Sequence, residues 1–300
     1  MKNRHLYIIG NGFDLWHGIP SRYREFKSYL EEHDRDLLHT VEDYLPAGKD
    51  WSDLESSLAG IDVDRIIDDL GHFMSSYGAD DWSDSGHNDF QYEVERTVQM
   101  LSSELRKQFA AWIRQLSIPT PMTAPQCLKT INSAANFLSF NYTSTLQILY
   151  GVADDRILHI HGRSDIHDSD LILGHAWNPM ERRSLNDRND IEDIDTRLME
   201  AHDILDEYFA NTFKPSTRLI QDYRSFFEQQ AEIQIVSVLG HSLMPVDAPY
   251  FAALLAGGKL TDAQWQLAVL PEDDLEERIS LLQDLGVNET KITTIFWSEI

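Results

Sequence analysis

The last third of the chain alternates short apolar runs with amphipathic segments, and this alternation is the strongest constraint on its fold. Apolar runs at 233–239, 265–270 and 292–297 are separated by helical patterns near 248–256 and 273–285. Gly286 follows the second helical pattern, as is common just past a helix C-terminus. Near-continuous apolar strands linked by helices are typical of parallel sheets that are covered on both faces. The alternation therefore predicts an α/β protein with a doubly wound, mainly parallel, Rossmann-like sheet.

The first half of the chain adds strands and large helical insertions to this sheet. Strand-like runs lie at 5–9, 135–140, 156–160 and 171–174, and a long helical pattern covers 94–112. Three prolines within 117–125 mark a connection between the helical part and the next strands. We assign residues 1–20 and 130–300 to a Rossmann-like nucleotide-binding domain, residues 21–129 to a helical insertion, and residues 178–232 to a second helical, acidic insertion.

Composition excludes several classes of protein. Lys and Arg total 25 against 50 Asp and Glu, so a net charge of -25 repels nucleic-acid backbones and argues against general nucleic-acid binding. No apolar run approaches the roughly 20 residues that cross a bilayer. The run at 5–9 ends in Gly-Asn-Gly and is too short for a secretory signal, so we expect a cytoplasmic protein with no membrane association. Cys127 is the only cysteine, which excludes a disulfide framework and a cysteine zinc site.

Small and polar residues cluster directly after four of the predicted strands. These clusters are Gly10–Asp14, Asn141–Thr143, His161–Gly162 and Gly240–Ser242. In an open parallel sheet, ligands bind in the crevice outside the carboxyl ends of the strands. The sequence therefore predicts that four distant segments converge on one site.

The glycine loop after the first strand has two interpretations. Gly10 and Gly12 permit a tight turn and would let backbone N–H groups approach a phosphate. Leu15 stands where the dinucleotide fingerprint has its third glycine, and no early strand supplies the acidic residue expected about 20 positions later. A standard dehydrogenase site is therefore not expected, and the loop either binds a phosphate or is a structural turn.

Asn141 and His161 are the candidate catalytic residues. His159 and His161 lie two residues apart at the end of a strand, and Gly162, which opens the backbone after His161, favours His161 as the residue that faces the crevice. The alternatives are a core histidine and a strand-end turn residue. The His-x-His spacing could bind a metal, but no third ligand lies nearby in the sequence, so no metal site is expected.

Six segments of the chain closely resemble the bacterial abortive-infection AbiH family. They span residues 6–26, 51–55, 138–150, 158–162, 172–175 and 235–251, in order along nearly the whole chain. The family is associated with defence against bacteriophage. The resemblance therefore implies a defence protein, for which a phage-derived trigger and a second copy of the chain are candidate partners.

The order of the motifs is also similar to that of the sirtuin superfamily. This resemblance implies a sirtuin-like domain in which Asn141 and His161 act at the nicotinamide ribose of NAD. It also implies that the glycine loop and the Gly-x-Ser-Leu loop, which ends at Leu243, contact the dinucleotide. The expected dinucleotide contacts in and beside these two loops are Gly10, Asn11, Gly12, Phe13, Asp14, Gly240, His241, Ser242 and Asp247.

Three positions depart from the sirtuin pattern. Asp14 puts a carboxylate beside the start of a helix, where it would repel a phosphate, and Thr143 stands where an Asp is usual. One cysteine cannot form the four-cysteine zinc module, which disfavours deacetylation of protein lysines. Trp51 and Glu55, four residues apart on one helical face, are either a packing Trp with a paired Glu or a contact with the ligand.

The resemblance implies an NAD glycohydrolase that acts in phage defence, with NAD as its substrate. Bacterial defence proteins with sirtuin-like domains often hydrolyse NAD. One alternative is a nucleotide-binding sensor without hydrolysis. Another is a metal-dependent nuclease that would use Asp14, His161 and His241.

Overall fold

A single parallel sheet of six strands forms the centre of the sheet-bearing part of the chain. The computed structural model describes residues 4–74, 88–166, 171–191, 194–273 and 275–300. The sheet has the order β3-β2-β1-β4-β5-β6, and every neighbouring pair is parallel. Its strands are His5–Ile9 (β1), Asn136–Ser139 (β2), Ile157–His159 (β3), Ile235–Leu239 (β4), Gln264–Val269 (β5) and Ile292–Phe296 (β6). The predicted α/β fold with a parallel, Rossmann-like sheet and helical insertions is confirmed.

Both faces of the central strand are buried, which explains its uninterrupted apolar sequence. Leu6 and Ile8 of β1 pack into one apolar cluster, whereas Tyr7 and Ile9 pack into another. Successive strand residues point to opposite faces of a sheet. Each cluster therefore lies on its own face, as expected for a doubly wound sheet.

The chain divides into two compact units. The first contains the sheet and comprises Met1–Arg22, Ala110–Ile172 and Pro215–Ile300. Its helices are Asn11–Trp16, Thr145–Tyr150, Ser216–Asp222, Arg224–Glu228, Ala248–Leu255 and Glu276–Asp284. Residues 110–129 and 215–232, which the sequence placed in the helical insertions, lie in this sheet unit.

The second unit is helical and comprises Tyr23–Phe109 and Leu173–Lys214. Its helices are Tyr23–His33, Arg35–Tyr44, Leu54–Ser57, Val63–Leu70, Asp89–Gln99 and Thr196–Asn211, and helix Leu105–Gln115 begins in it. No helix in the described ranges is both long and apolar enough to cross a membrane.

One local prediction is wrong. Residues 171–174 form no strand. Ile172 donates one backbone hydrogen bond to the carbonyl of His161 and accepts one from the Tyr142 hydroxyl, which fixes the segment without a ladder of strand bonds. The long helix predicted over 94–112 is confirmed: helical structure runs from Asp89 to Gln115 and contains a π-helical turn at Met100–Glu104.

Candidate active site at the carboxyl edge of the sheet

The four polar clusters predicted from the sequence all follow strands of the same parallel sheet. Gly10 follows β1, Gly240 follows β4, Asn141 lies two residues past β2, and His161 lies two residues past β3. Parallel strands end at a common edge, so the four clusters lie along one edge of the sheet unit. The strand order changes direction between β1 and β4, which is the usual position of a ligand crevice in this type of sheet.

The glycines after β1 and β4 bring two loops into backbone contact. A Cβ atom on Gly12 would lie 2.7 Å from the Cα of Gly240. Gly240 has a φ of 73°, and a Cβ there would lie 2.2 Å from the amide nitrogen of Phe13. Only glycine fits this approach, because any side chain would enter the backbone of the other loop. The loops are therefore packed on each other at these positions.

This packing occupies backbone N–H groups that would otherwise be able to bind a phosphate. The N–H of Gly10 donates to the carbonyl of Leu239 at 3.0 Å, and the N–H of Gly12 donates to the carbonyl of Gly240 at 2.9 Å. The N–H of Phe13 donates to the carbonyl of Gly10 at 2.9 Å. An anionic ligand at this edge would need other donors.

The side chains of Asn11 and Phe13 contact the protein itself. The Asn11 amide donates to the carbonyl of Ser21 at 2.9 Å and accepts from the Ser21 hydroxyl at 2.5 Å. The ring of Phe13 is fully buried in the same apolar cluster as Tyr7 and Ile9. Both side chains hold the glycine loop in place.

Asp14 is a buried carboxylate with two hydroxyl partners. Thr143 and Thr145 each donate to it at 2.7 Å. Burial raises the pKa of Asp14 to about 6, although these two hydroxyls and the nearby Asn141 amide lower it. The carboxylate therefore links the glycine loop to the segment after β2.

Asp247 lies between two buried histidines. Its carboxylate oxygens are 3.3 Å from Nε2 of His241 and 3.7 Å from Nε2 of His161. The Leu243 N–H donates to Nδ1 of His241 at 2.9 Å, so the neutral His241 ring carries its proton on Nε2, towards Asp247. Leu243 holds a φ of 58°, which is rare for a residue with a branched side chain. This loop is therefore shaped to orient His241.

Aromatic rings enclose the two histidines. The Phe140 ring centroid lies 4.2 Å from that of His241 and 5.4 Å from that of His161. Tyr250 packs against His161 with ring centroids 5.5 Å apart. His161 is 3% exposed and His241 is 5% exposed. An interaction of Asp247 with these histidines is thus shielded from bulk water, where it would be weaker.

Asn141 is 6% exposed, and its side-chain nitrogen makes no hydrogen bond of normal geometry among the described residues. Its backbone carbonyl accepts from Nδ1 of His159 at 3.0 Å, and its backbone N–H donates to the Ser139 hydroxyl at 3.2 Å. Burial lowers the pKa of His159. Backbone contacts therefore position Asn141 while one amide donor is left for another acceptor.

An open cleft of about 290 Å³ lies beside the glycine loops in the sheet unit. Gly12, Gly240 and Ser242 line it, whereas Asn141 and His161 are not among its lining residues. The sequence-based prediction missed two arginines and two tryptophans that also line the cleft: Trp16, Arg22, Arg278 and Trp297. Arg22 lies in the segment that resembles the AbiH family, but no pattern in the sequence pairs it with Arg278.

Trp51 and Glu55 are used inside the helical unit. Trp51 is 1% exposed and adopts a φ of 54°. Glu55 accepts from the Lys214 ammonium group at 2.6 Å and from the Tyr23 hydroxyl. Trp51 is therefore a packing residue and Glu55 is paired, as one interpretation predicted, but the two do not share a helical face, because the helix begins at Leu54 and Trp51 lies outside it. Within the described ranges, no three His, Cys, Asp or Glu side chains are arranged to hold a metal ion.

Comparison with known families gave one match. The model of a family described as bacteriophage abortive infection AbiH matches residues 6–268. This range includes Asp14, Asn141, His161 and Asp247, and it ends before Arg278. Comparisons with curated proteins and with solved structures gave no match.

Proposed function

The chain belongs to the AbiH family of bacteriophage abortive infection and therefore acts in phage defence; we propose that it does so by hydrolysing NAD at the nicotinamide–ribose bond. NAD is the substrate in this proposal, and the dinucleotide lies along the carboxyl edge of the sheet. The order of the motifs, which is similar to that of the sirtuin superfamily, supports this choice of substrate. The sirtuin-like domain itself stays a prediction.

One observation carries the proposal. The cleft beside the glycine loops lies at the same edge of the sheet as the buried Asn141 and His161. The two sites lie on opposite sides of β1. From β5, whose end lines the cleft at Ala268, to β3 there are four strand spacings, or about 19 Å. That distance suits an extended dinucleotide better than a single nucleotide.

The chemistry of the cleavage suits the residues past β2 and β3. Water attacks the anomeric carbon of the ribose as its bond to nicotinamide breaks, and the bonding electrons leave with nicotinamide, which is neutral. Positive charge develops on the sugar, as in glycoside hydrolysis. His161 accepts the proton of the attacking water, and the Asp247 carboxylate lies 3.7 Å from its Nε2, where it attracts the positive charge that forms on the ring. The side-chain nitrogen of Asn141 holds a ribose oxygen.

Release of nicotinamide from NAD by the purified protein tests the proposal. We expect Asn141→Ala to lower the rate about 10²–10³-fold, comparable to the loss of one oriented donor. His161→Ala should lower it about 10²–10⁴-fold through loss of the general base. Because both residues serve one step, the double variant should lose much less than the product of the two losses.

His72→Ala is the matched control, since His72 is exposed in the helical unit, and it should retain the wild-type rate. Circular dichroism of each variant would check its folding. Wild-type protein that protects cells from phage but releases no nicotinamide would rule out NAD hydrolysis. Dependence of an activity on an added metal ion would instead favour the nuclease alternative.

A second candidate function is a nucleotide sensor without hydrolysis. It is favoured by the burial of Asn141 and His161 and by their absence from the lining of the cleft. A sensor would bind NAD and release it unchanged. Recovery of intact NAD after prolonged incubation, together with measurable binding, would support the sensor over the hydrolase.

A further inference from the structure

We infer that Arg22 and Arg278 form an anion site that holds the diphosphate of a nucleotide in the cleft beside the glycine loops. The identification of that nucleotide as NAD rests on the proposed function. The anion site itself rests on the charges and contacts of the cleft.

The two arginines give the cleft a charge opposite to that of the protein. The chain has 25 basic residues against 50 acidic ones, yet the cleft is lined by two arginines and one carboxylate, Asp273. Guanidinium groups bind phosphate oxygens through paired N–H donors. The cleft is therefore a local attraction for anions on a protein that repels them at long range.

Both guanidinium groups retain donors for a ligand. The shortest contact of Arg278 with Asp273 is 3.7 Å, which is too long for a hydrogen bond. The same oxygen of Asp273 accepts the backbone N–H of Leu270 at 3.0 Å. Among the residues that the structure describes, Arg22 makes no ion pair, and its side chain is exposed. Arg278 thus forms a loose ion pair that leaves its N–H donors available to a ligand, and Arg22 forms none among the described residues.

Three backbone N–H donors of the glycine loop are already in use. The amides of Gly10, Gly12 and Phe13 donate to protein carbonyls, and helix Asn11–Trp16 has only six residues. The attraction that the glycine loop was expected to provide therefore has to come from side chains. Arg22 and Arg278 are the cationic side chains that line this cleft.

The rest of the lining favours a nucleotide over a free inorganic anion. Trp16 and Trp297 stack with ring centroids 5.1 Å apart and form an apolar wall. A volume of about 290 Å³ exceeds what one phosphate fills. A diphosphate with part of an attached nucleoside uses both the arginines and this wall.

Calorimetric binding of ADP-ribose tests the inference without catalysis, because ADP-ribose carries the diphosphate but lacks the nicotinamide bond. We expect Arg22→Ala and Arg278→Ala each to weaken binding about 10- to 100-fold, the usual effect of losing a charged hydrogen-bonding partner. Arg278→Lys should fall between wild type and Arg278→Ala, since lysine keeps the charge but loses the planar pair of donors. Adenosine, which has no phosphate, should bind weakly and with the same affinity to the wild type and to each arginine variant.

Arg218→Ala is the matched control for the loss of one positive charge. Arg218 has an 82% exposed side chain, faces Asp222 at 3.6 Å and does not line the cleft. Its substitution should leave the affinity for ADP-ribose unchanged. Thermal unfolding of every variant would show that the fold is kept.

The outcomes separate this inference from the proposed function. Wild-type affinity in both Arg22→Ala and Arg278→Ala would overturn the anion site, even if the protein hydrolyses NAD. Arginine-dependent binding of ADP-ribose without nicotinamide release would support the anion site and reject hydrolysis. Arginine-dependent binding of inorganic pyrophosphate alone would support a diphosphate site that takes no nucleotide, and binding of neither probe by the wild type would overturn it.

Discussion

Two residues that look anomalous separately are partners in the structure. Asp14 was expected to repel a phosphate, and Thr143 was noted as a replacement for an Asp. The Thr143 hydroxyl donates to the Asp14 carboxylate at 2.7 Å, and Thr145 donates to its other oxygen. The carboxylate thus reaches the segment after β2 from the glycine loop. No local pattern could predict a contact between residues 129 positions apart, although the strand ends could be placed.

Asp14 should make stability depend on pH in a direction opposite to most carboxylates. Folding raises its pKa from 3.8 to about 6, so between these values the folded protein binds a proton that the unfolded chain has released. Its contribution to the free energy of unfolding is therefore complete below about pH 4 and is lost as the pH rises through 6. Between these two pH ranges, the contribution of Asp14 to the free energy of unfolding changes by about 3 kcal/mol.

Denaturant unfolding of wild type and Asp14→Asn from pH 4 to 7 measures this effect. The Asn side chain keeps one acceptor and does not titrate, so the wild-type advantage should shrink as the pH rises. An advantage that grows with pH would show that the threonine hydroxyls stabilise the ionised carboxylate more than burial destabilises it.

The histidine arrangement was only partly predictable at the residue scale. The strand-end rule indicated His161, and the resemblance implied His241 and Asp247 as dinucleotide contacts. Those contacts stay predictions, and the structure shows in addition that Asp247 lies between the two histidines. The loop before Asp247 includes a positive φ at Leu243, which the sequence does not reveal.

At the scale of elements, the apolar runs predicted all six strands to within about two residues at each end. The order of the strands could not be predicted in the same way, since it depends on contacts between distant segments. Part of the lining of the cleft was missed for a related reason. Arg22, Arg278 and Trp297 come from three separate segments that meet only in the folded sheet unit.

The contact between the glycine loops after β1 and β4 gives a prediction at this scale. Gly240→Ala should destabilise the protein strongly, because its Cβ would lie 2.2 Å from the nitrogen of Phe13 in addition to the cost of a φ of 73°. Gly151→Ala provides the control, with a φ of 61° and no atom within 4 Å of the added carbon. The control should lose only about 1–2 kcal/mol of unfolding free energy.

Chemical denaturation of both variants would separate the clash from the backbone strain. We expect Gly240→Ala to lose at least about 2 kcal/mol more than Gly151→Ala, comparable to overpacking a dense core. Equal losses would mean that the two loops can move apart and that their packing does not require glycine.

At the scale of the whole molecule, acidic and basic side chains are unevenly distributed. A net charge of -25 keeps general anions away, while two arginines in one cleft offer a local exception. The overall excess of carboxylates also opposes folding, because it brings like charges closer together in the compact state than in the unfolded chain. Composition alone predicts this free-energy cost, whereas only the folded structure shows that two arginines line one cleft.

Salt should therefore stabilise the protein at neutral pH. Raising NaCl from 10 to 150 mM shortens the Debye length from about 30 Å to about 8 Å and screens repulsion between distant carboxylates. The same salt weakens the exposed ion pairs, but each of these contributes only about 0–1 kcal/mol. We expect calorimetry to show a rise in Tm, at about 2 °C or more for each kcal/mol of repulsion removed.

At pH 4.7, near the isoelectric point, the net charge vanishes and the same salt step should leave Tm almost unchanged. A Tm that falls with salt at pH 7 would show that local ion pairs outweigh the repulsion expected from the net charge.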